Sequence, residues 1–457
     1  MTSRAFRLLM LVLAFALVAT ACSDGESGDT TTTAAPADTT TTAAPSGDTT
    51  TTVADATGVS CEEPVKVGVI TDMTGALAIF GTHIVRAFPI GMEYATGSTA
   101  EGDIASGQTY TIDDCDIEVI WKDDTSDAEA SVAAARELIE VDGVDIIVGS
   151  VHSGVTAGIQ ELAKDNDVIH IAAPAAANDL TGVNFNENSF RVSRNNYQDA
   201  VAACEYLTTK YTTFVNVAPD YAFGHGGASA YKDACSVLGG EFPVDNILVP
   251  AGTTDFTPYA EEILASGAEV WTLTWAGGDL PQLFQAAADT GVNDEMELGA
   301  SFFDNVLLPL WFQTQIGSTA PTLYHYTQPD NAINDYLIAA TQALETPTFP
   351  DLFDADGMNA AIAIIEALKI TGGDASADAL RDALEGIVFE GPKGTIEIRA
   401  EDHVALQDMY IVTLTNLDDP EFKFFETVST VRPEVPCLLE GEYVDRCGDL
   451  PVGSLGG

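Results

Sequence analysis

The nearest thing to a catalytic pairing in this chain is Gly149-Ser150-Val151-His152-Ser153-Gly154, where serine hydroxyls flank an imidazole. A serine nucleophile needs a base aimed at its hydroxyl, and side chains adjacent in sequence rarely point at one another in that way. The spacing also departs from the Gly-x-Ser-x-Gly elbow of serine hydrolases. Gly224-His225-Gly226-Gly227 starts like a dinucleotide loop, but Ser229 occupies the place of the third glycine. Asp354-Ala355-Asp356-Gly357 starts like a calcium loop. There Leu352 replaces the first ligand and Ala363 the closing glutamate, so the segment reads as a turn and helix cap. Neither a phosphate loop nor a zinc-protease motif occurs, and no Cys-x-x-Cys or His-x₃-His spacing suits a metal. These residues describe a chain that is not an enzyme and uses neither cofactor nor metal; an exported hydrolase built on His152 and Ser153 is the remote alternative.

The same segment reads better as a binding loop. Val144–Gly149 has the apolar composition of a strand, and a helix is expected to start near Val155. Ligands of parallel α/β sheets lie beyond the carboxyl ends of the strands. The free N–H groups at the start of the following helix attract a carboxylate or another oxyanion. Ser150, Ser153 and Gly154 would supply hydroxyl donors and close backbone approach. Simple capping of the helix by Ser153 accounts for the pattern equally well.

The elements that hold this loop recur along the chain. Short apolar runs at Val65–Ile70, Ile117–Trp121, Val144–Gly149 and Val168–Ala173 form one series of strands. Phe214–Val217, Asn246–Val249, Val270–Trp275 and Glu297–Phe302 form a second. Amphipathic stretches lie between them at Ser126–Val141, Val155–Asn166, Tyr197–Tyr211 and Gly227–Gly239. Apolar strands alternating with crossover helices make parallel sheets covered on both faces. The predicted fold class is α/β, with two Rossmann-like lobes. Thr322–Tyr326, Thr395–Ile398, Met409–Leu414 and the apolar helix Met358–Thr371 then complete the lobes by crossing between them, near 185–195, 318–325 and 400–408. The expected division is 64–190 plus 320–403 for one lobe and 191–319 plus 404–435 for the other, with 436–457 as a C-terminal loop and tail.

The first residues set the expected compartment. Arg4 and Arg7 precede the apolar run Leu8–Val18, followed by Ala19-Thr20-Ala21-Cys22. This predicts a secretory signal over residues 1–21, and the run is too short to span a bilayer. A Cys directly after small residues resembles a bacterial lipobox, which implies acylation of Cys22. Residues 22–60, rich in Thr and Ala, bury too little apolar surface to fold and read as a tether. The expected location is therefore outside the cell membrane, held to its outer face by lipid.

Cys61, Cys115, Cys204, Cys235, Cys437 and Cys447 remain, and six cysteines in an exported chain indicate three disulfides. Sequential pairing is expected, because each bond then joins neighbouring elements of one lobe. Lys and Arg number 18 against 70 Asp and Glu, a formal net charge of -52. Such a surface repels phosphate backbones, which excludes nucleic acid as a partner. It also repels anionic headgroups, so membrane attachment needs a covalent or apolar anchor.

Val65-Lys66-Val67-Gly68-Val69-Ile70-Thr71-Asp72-Met73-Thr74-Gly75, then Phe80-Gly81, resembles the opening of the leucine/isoleucine/valine-binding proteins, the type I periplasmic binding proteins of branched-chain amino acid importers. Further pieces follow in family order over about residues 64–415: the Ser-rich loop after Val144–Gly149, Ala172-Ala173-Pro174-Ala175, Phe190-Arg191, Asp220-Tyr221-Ala222-Phe223-Gly224, Gly391-Pro392-Lys393-Gly394 and Asp402-His403. The resemblance implies two lobes joined by a three-crossing hinge. They would close as a monomer on an amino acid, amide or aromatic acid, which an ABC transporter permease then receives. A ligand sensor of the same fold, feeding a signalling partner, is equally compatible.

Carried over position by position, the family's contacts fall on Phe80, Ser153, Ala175, Phe223 with Tyr221 flanking it, and Trp275–Asp279; Ser150, His152 and Gly154 of the binding loop and Ala176 beside Ala175 complete the expected site. The resemblance makes Ser153 the carboxylate serine and Ala175 a backbone partner of the ligand ammonium. Two positions depart from it: Ala177 stands for a Thr, and Ser301 for the Glu that pairs with the ammonium. Either Asp279 or Asp304 takes over that role, or the ligand has no α-ammonium. Phe80, Phe223, Trp275, Phe302 and Phe303 could line an aromatic pocket, with ordinary core packing expected to claim about half of them.

Overall fold

A computed structural model describes residues 58–456. The predicted signal peptide, Cys22 and nearly all of the tether lie outside the described residues. Two sheets organise the rest. The first contains β1 (Val65–Thr71), β2 (Glu101–Asp103), β3 (Gly107–Ile112), β4 (Cys115–Asp123), β5 (Ile146–Val148), β6 (Ile169–Ala172) and β7 (Ser189–Arg191), in the order 2-3-4-1-5-6-7. Its centre is parallel, β1 pairing with both β4 and β5, and β5 with β6. The β2–β3 hairpin adds antiparallel strands at one edge, an element the apolar pattern did not predict. The second sheet, β8 (Phe214–Pro219), β9 (Ile247–Val249), β10 (Val270–Leu273) and β11 (Glu297–Gly299), is parallel throughout, in the order 11-10-8-9.

Each sheet has its own apolar core. Val67, Val69 and Ile146 pack with Ile84 and Phe88 of the helix Ala78–Thr96 and with Met358 and Ile365 of the helix Asp354–Thr371. Val215, Val217 and Trp271 pack with Leu283 and Phe312 in a separate cluster. Two small antiparallel sheets complete the architecture. One joins β12 (Thr319–Thr322), β16 (Met409–Leu414) and β17 (Phe425–Val431); the other joins β13 (Val388–Gly391), β14 (Gly394–Ile398) and β15 (Ala405–Leu406). The α/β fold class with parallel sheets stands. The strand expected at Thr322–Tyr326 lies three residues earlier and pairs with β16.

Some helix boundaries also moved. The stretch Ser126–Val141 is an α-helix over Ala128–Glu137, capped by the Asp127 carboxylate, and a π-helical turn follows it at Leu138–Asp142. The helix expected from Gly227 starts at Ala222. Its glycines look like breakers but permit close packing: a Cβ at Gly227 would lie 2.2 Å from Thr274 Oγ1. The helix after β5 starts at Ser153 rather than Val155.

Disulfides join Cys61–Cys115, Cys204–Cys235 and Cys437–Cys447, in sequential order as expected. The first closes the longest loop, with a sequence separation of 54. It fastens the start of the folded body to β4, and loop-closure entropy assigns it about 4 kcal/mol. Among the described residues, no helix is long and apolar enough to cross a membrane.

Candidate ligand-binding cleft

Both large sheets send the carboxyl ends of their parallel strands toward one cleft, with about 820 Å³ of empty space including its mouth. Leu77 and Phe80 follow β1, Val151–Ser153 follow β5, and Pro174 and Ala176 follow β6. From the second sheet, Tyr221 and Phe223 follow β8, Thr274–Ala276 follow β10, and Ser301–Phe303 follow β11. This is the strand-end placement that parallel sheets provide for ligands.

The wall is chiefly aromatic. Phe80 meets Phe353 edge to face at 5.4 Å, and Trp275 meets Phe256 at 5.9 Å. His152 and Tyr221 stack at 5.3 Å with their planes 15° apart, so a ring from the first sheet's loop lies on a ring from the second's. The His152 ring also takes over a task assigned to Ser153. Its Nδ1 accepts the N–H groups of Gly154 at 3.1 Å and Val155 at 3.3 Å, so His152 is the helix cap. Burial lowers its pKa, in keeping with a neutral ring whose Nδ1 accepts. Two of the helix-start N–H groups expected to receive a carboxylate, those of Gly154 and Val155, are therefore already occupied. Ser153 Oγ accepts the Ala177 N–H at 3.2 Å and keeps its own proton free to donate.

Nine of the expected site residues border the cleft: Phe80, His152, Ser153, Ala176, Tyr221, Phe223, Trp275, Ser301 and Phe302. Phe303 does so too; of the five expected aromatics, Phe80, Trp275 and Phe302 are also buried members of the two apolar cores, while Phe223 and Phe303 are only partly buried. Six others support it from behind or lie beside it. Ser150 is buried and its hydroxyl bonds the Asp124 carboxylate, while Gly154 lies in the first helical turn. The carbonyls of Ala175 and Ala177 are taken by the Arg191 guanidinium at 2.5 and 2.6 Å. Asp279 accepts the Trp275 indole N–H at 3.0 Å. Asp304 is buried and accepts the N–H groups of Val306 and Leu307 at 3.2 and 3.1 Å. Neither Asp279 nor Asp304 lines the cleft, so neither stands where it was expected to replace the missing Glu.

The charged lining is instead a pair that the sequence reading passed over. Arg194 and Asp199 both border the cleft, with Arg194 Nε 3.4 Å from Asp199 Oδ2. Arg194 Nη1 donates to the Pro174 carbonyl at 3.1 Å, and its guanidinium lies over the Phe353 ring at 5.4 Å. Burial raises the Asp199 pKa, and the Arg194 charge partly offsets that rise. The buried Ser301 hydroxyl and Asp199 Oδ1 have no hydrogen-bond partner among the described residues.

Asp72, Asp123 and Asp124 come close enough to hold a cation. Their oxygens are already committed to the Leu77 N–H at 2.7 Å, the Met73 N–H at 2.9 Å and the Ser126 N–H at 2.8 Å, among others. The cluster anchors the loops after β1 and β4.

A family model described as "Periplasmic binding protein" matches residues 64–419. "Leu/Ile/Val-binding protein homolog 6" of Brucella melitensis is 25% identical over 377 residues, covering 80% of this chain and 91% of that protein. The crystal structure of an ABC-type branched-chain amino acid transporter protein from Rhodopseudomonas palustris is 30% identical. It superposes with a TM-score of 0.69 and covers 82% of this chain and 100% of that one. A solute-binding protein of an ABC transporter from another strain of that species, in complex with 3,4-dihydroxy benzoic acid, shares the fold at 24% identity and a TM-score of 0.67, over 81% and 97% of the two chains.

Proposed function

Because the chain belongs to the periplasmic binding protein family, we propose that it is the extracytoplasmic solute-binding lipoprotein of an ABC-type importer. On this reading Cys22 carries the lipid and residues 22–60 are the tether. The division is 64–190 plus 320–403 against 191–319 plus 404–435, and these two lobes close as a monomer on one small solute. The ligand favours the closed form in proportion to its differential affinity for it, and a permease then receives the closed shape.

The observation that carries the proposal is the shared cleft. Loops from six parallel strands in two sheets converge on one aromatic-walled space with only a few polar groups in it. Sites of that composition bind small organic molecules, apolar walls supplying affinity and sparse polar groups fixing orientation. Hydrolysis fits the geometry poorly, since His152 Nδ1 faces the Gly154 and Val155 N–H groups instead of a serine hydroxyl.

A thermal-shift screen of the full-length protein against aliphatic and aromatic amino acids, their carboxylic acid analogues and amides tests the proposal. A solute present at a hundredfold its dissociation constant adds about 2.7 kcal/mol and should raise the melting temperature by roughly a few degrees. At least one class is expected to do so. Silence across the panel would remove the assignment to small organic solutes.

A further inference from the structure

We infer that the solute this cleft selects is a monocarboxylate with an apolar or aromatic body and no α-ammonium, anchored by Arg194. The inference rests on the capture reading and narrows it to one class of ligand.

An amino acid needs two seats, an anion for its ammonium and donors for its carboxylate. The ammonium seat is missing. Ser301 and Ala177 carry no charge, Asp279 holds the Trp275 indole, and Asp304 lies outside the lining. Asp199 is the only carboxylate on the cleft wall among the described residues, and it already faces Arg194. The helix-start N–H groups of Gly154 and Val155 are likewise occupied by His152.

A carboxylate seat does exist at Arg194. Of its donors, Nη1 serves the Pro174 carbonyl, Nε lies 3.4 Å from Asp199 Oδ2, and Nη2 donates to no group among the described residues. The guanidinium is held against Phe353, in a residue only 7% exposed, where a charge-assisted bond is screened least. Ser153, whose hydroxyl proton is uncommitted, supplies a second donor on the same wall.

The charge balance behind this wall points the same way. Arg191, Arg194 and Lys393 are buried cations that interact with the carboxylates of Asp199 and Asp356. Asp402, the other acid near Arg191, is paired with Arg399 at 2.6 Å. Asp408, which also acts on Lys393, lies 3.6 Å from Arg432; with these two outer pairs set aside, three cations stand against two carboxylates, in a chain whose formal net charge is -52. A monoanion restores the balance on entering. A zwitterion restores none of it and adds an ammonium that must be desolvated beside the surplus, which is strongly unfavourable for an unpaired buried charge.

Matched pairs that differ only in the ammonium test this directly. The full-length protein is titrated calorimetrically with leucine against 4-methylpentanoate, and with phenylalanine against 3-phenylpropanoate. The acid of a pair is expected to bind at least tenfold more tightly than its amino acid. Arg194→Gln should abolish that preference, and Asp199→Asn should strengthen acid binding several-fold by removing a neighbouring negative charge. Circular dichroism and melting curves confirm that each variant is folded, and Asp199→Asn decides the matter if Arg194→Gln is not. An amino acid that binds as tightly as its acid, or more tightly, overturns the inference and leaves solute capture intact. If neither pair nor any other solute of the screen binds, the capture reading falls and takes the inference with it.

Discussion

Gly149→Ala should unfold the protein or destabilise it by more than about 4 kcal/mol. Gly149 follows β5 at the point where the chain leaves the sheet for Ser150–Ser153. Its φ is +136°, and a Cβ there would lie 1.9 Å from the Ile70 carbonyl oxygen of the neighbouring β1. That oxygen cannot retreat, because β1 lies at the centre of the first sheet between β4 and β5. The peptide around Gly149 is also fully bonded. Its N–H donates to the Ile171 carbonyl at 3.0 Å and its own carbonyl meets His170 Nε2 at 2.7 Å. Burial holds the His170 pKa down to about 4, so the ring is neutral at ordinary pH. Gly143→Ala is the control. Gly143 also has positive φ, +66°, but nothing lies within 4 Å of its added Cβ, so about 1 kcal/mol is expected. Urea unfolding of the two variants measures the contrast. Equal, small effects would mean that the β5 turn does not fix the binding loop as described.

Arg191→Met should be nearly as damaging, at about 3–5 kcal/mol. Arg191 is fully buried, and its guanidinium bonds the carbonyls of Ala175, Ala177 and, at 3.3 Å, Arg194. These bonds fold the cleft wall around Pro174 and Ala176 and tie it to the segment that carries Arg194. Methionine fills much of the volume but leaves the three carbonyls unpaired in a buried site. A destabilisation below 1 kcal/mol, measured in the same way, would show that the wall is held by other contacts.

Much of this architecture could be read directly from residue order. Alternation of apolar strands with amphipathic helices in two successive series gave the paired parallel sheets, because parallel strands must be buried on both faces. The loop after β5 could be found from its position beyond a strand end, whereas the aromatics at 80, 223 and 275 came from the resemblance to the leucine/isoleucine/valine-binding proteins. The β2–β3 hairpin was missed because Glu101–Asp103 is wholly exposed and carries no apolar signal. The start of the helix at Ala222 was hidden by three glycines whose role is close packing. The Arg194–Asp199 pair carries no such apolar signal, because residues 185–195 have the pattern of a crossing between lobes. Asp199 reaches the cleft from the first turn of the helix Asn196–Leu207, a position that no local period singles out. One signal was present: two arginines within Phe190-Arg191-Val192-Ser193-Arg194, in a chain with only 18 basic residues.

The central claim is that a solute sits between the two sheets' strand ends, and a crystal structure of the protein saturated with its best-binding solute tests it most directly. The ligand should lie within the cleft, with its apolar body between Phe80 or Phe353 on one side and Tyr221 or Trp275 on the other. An empty cleft, with the ligand bound anywhere away from Ser153 and Arg194, would contradict the account.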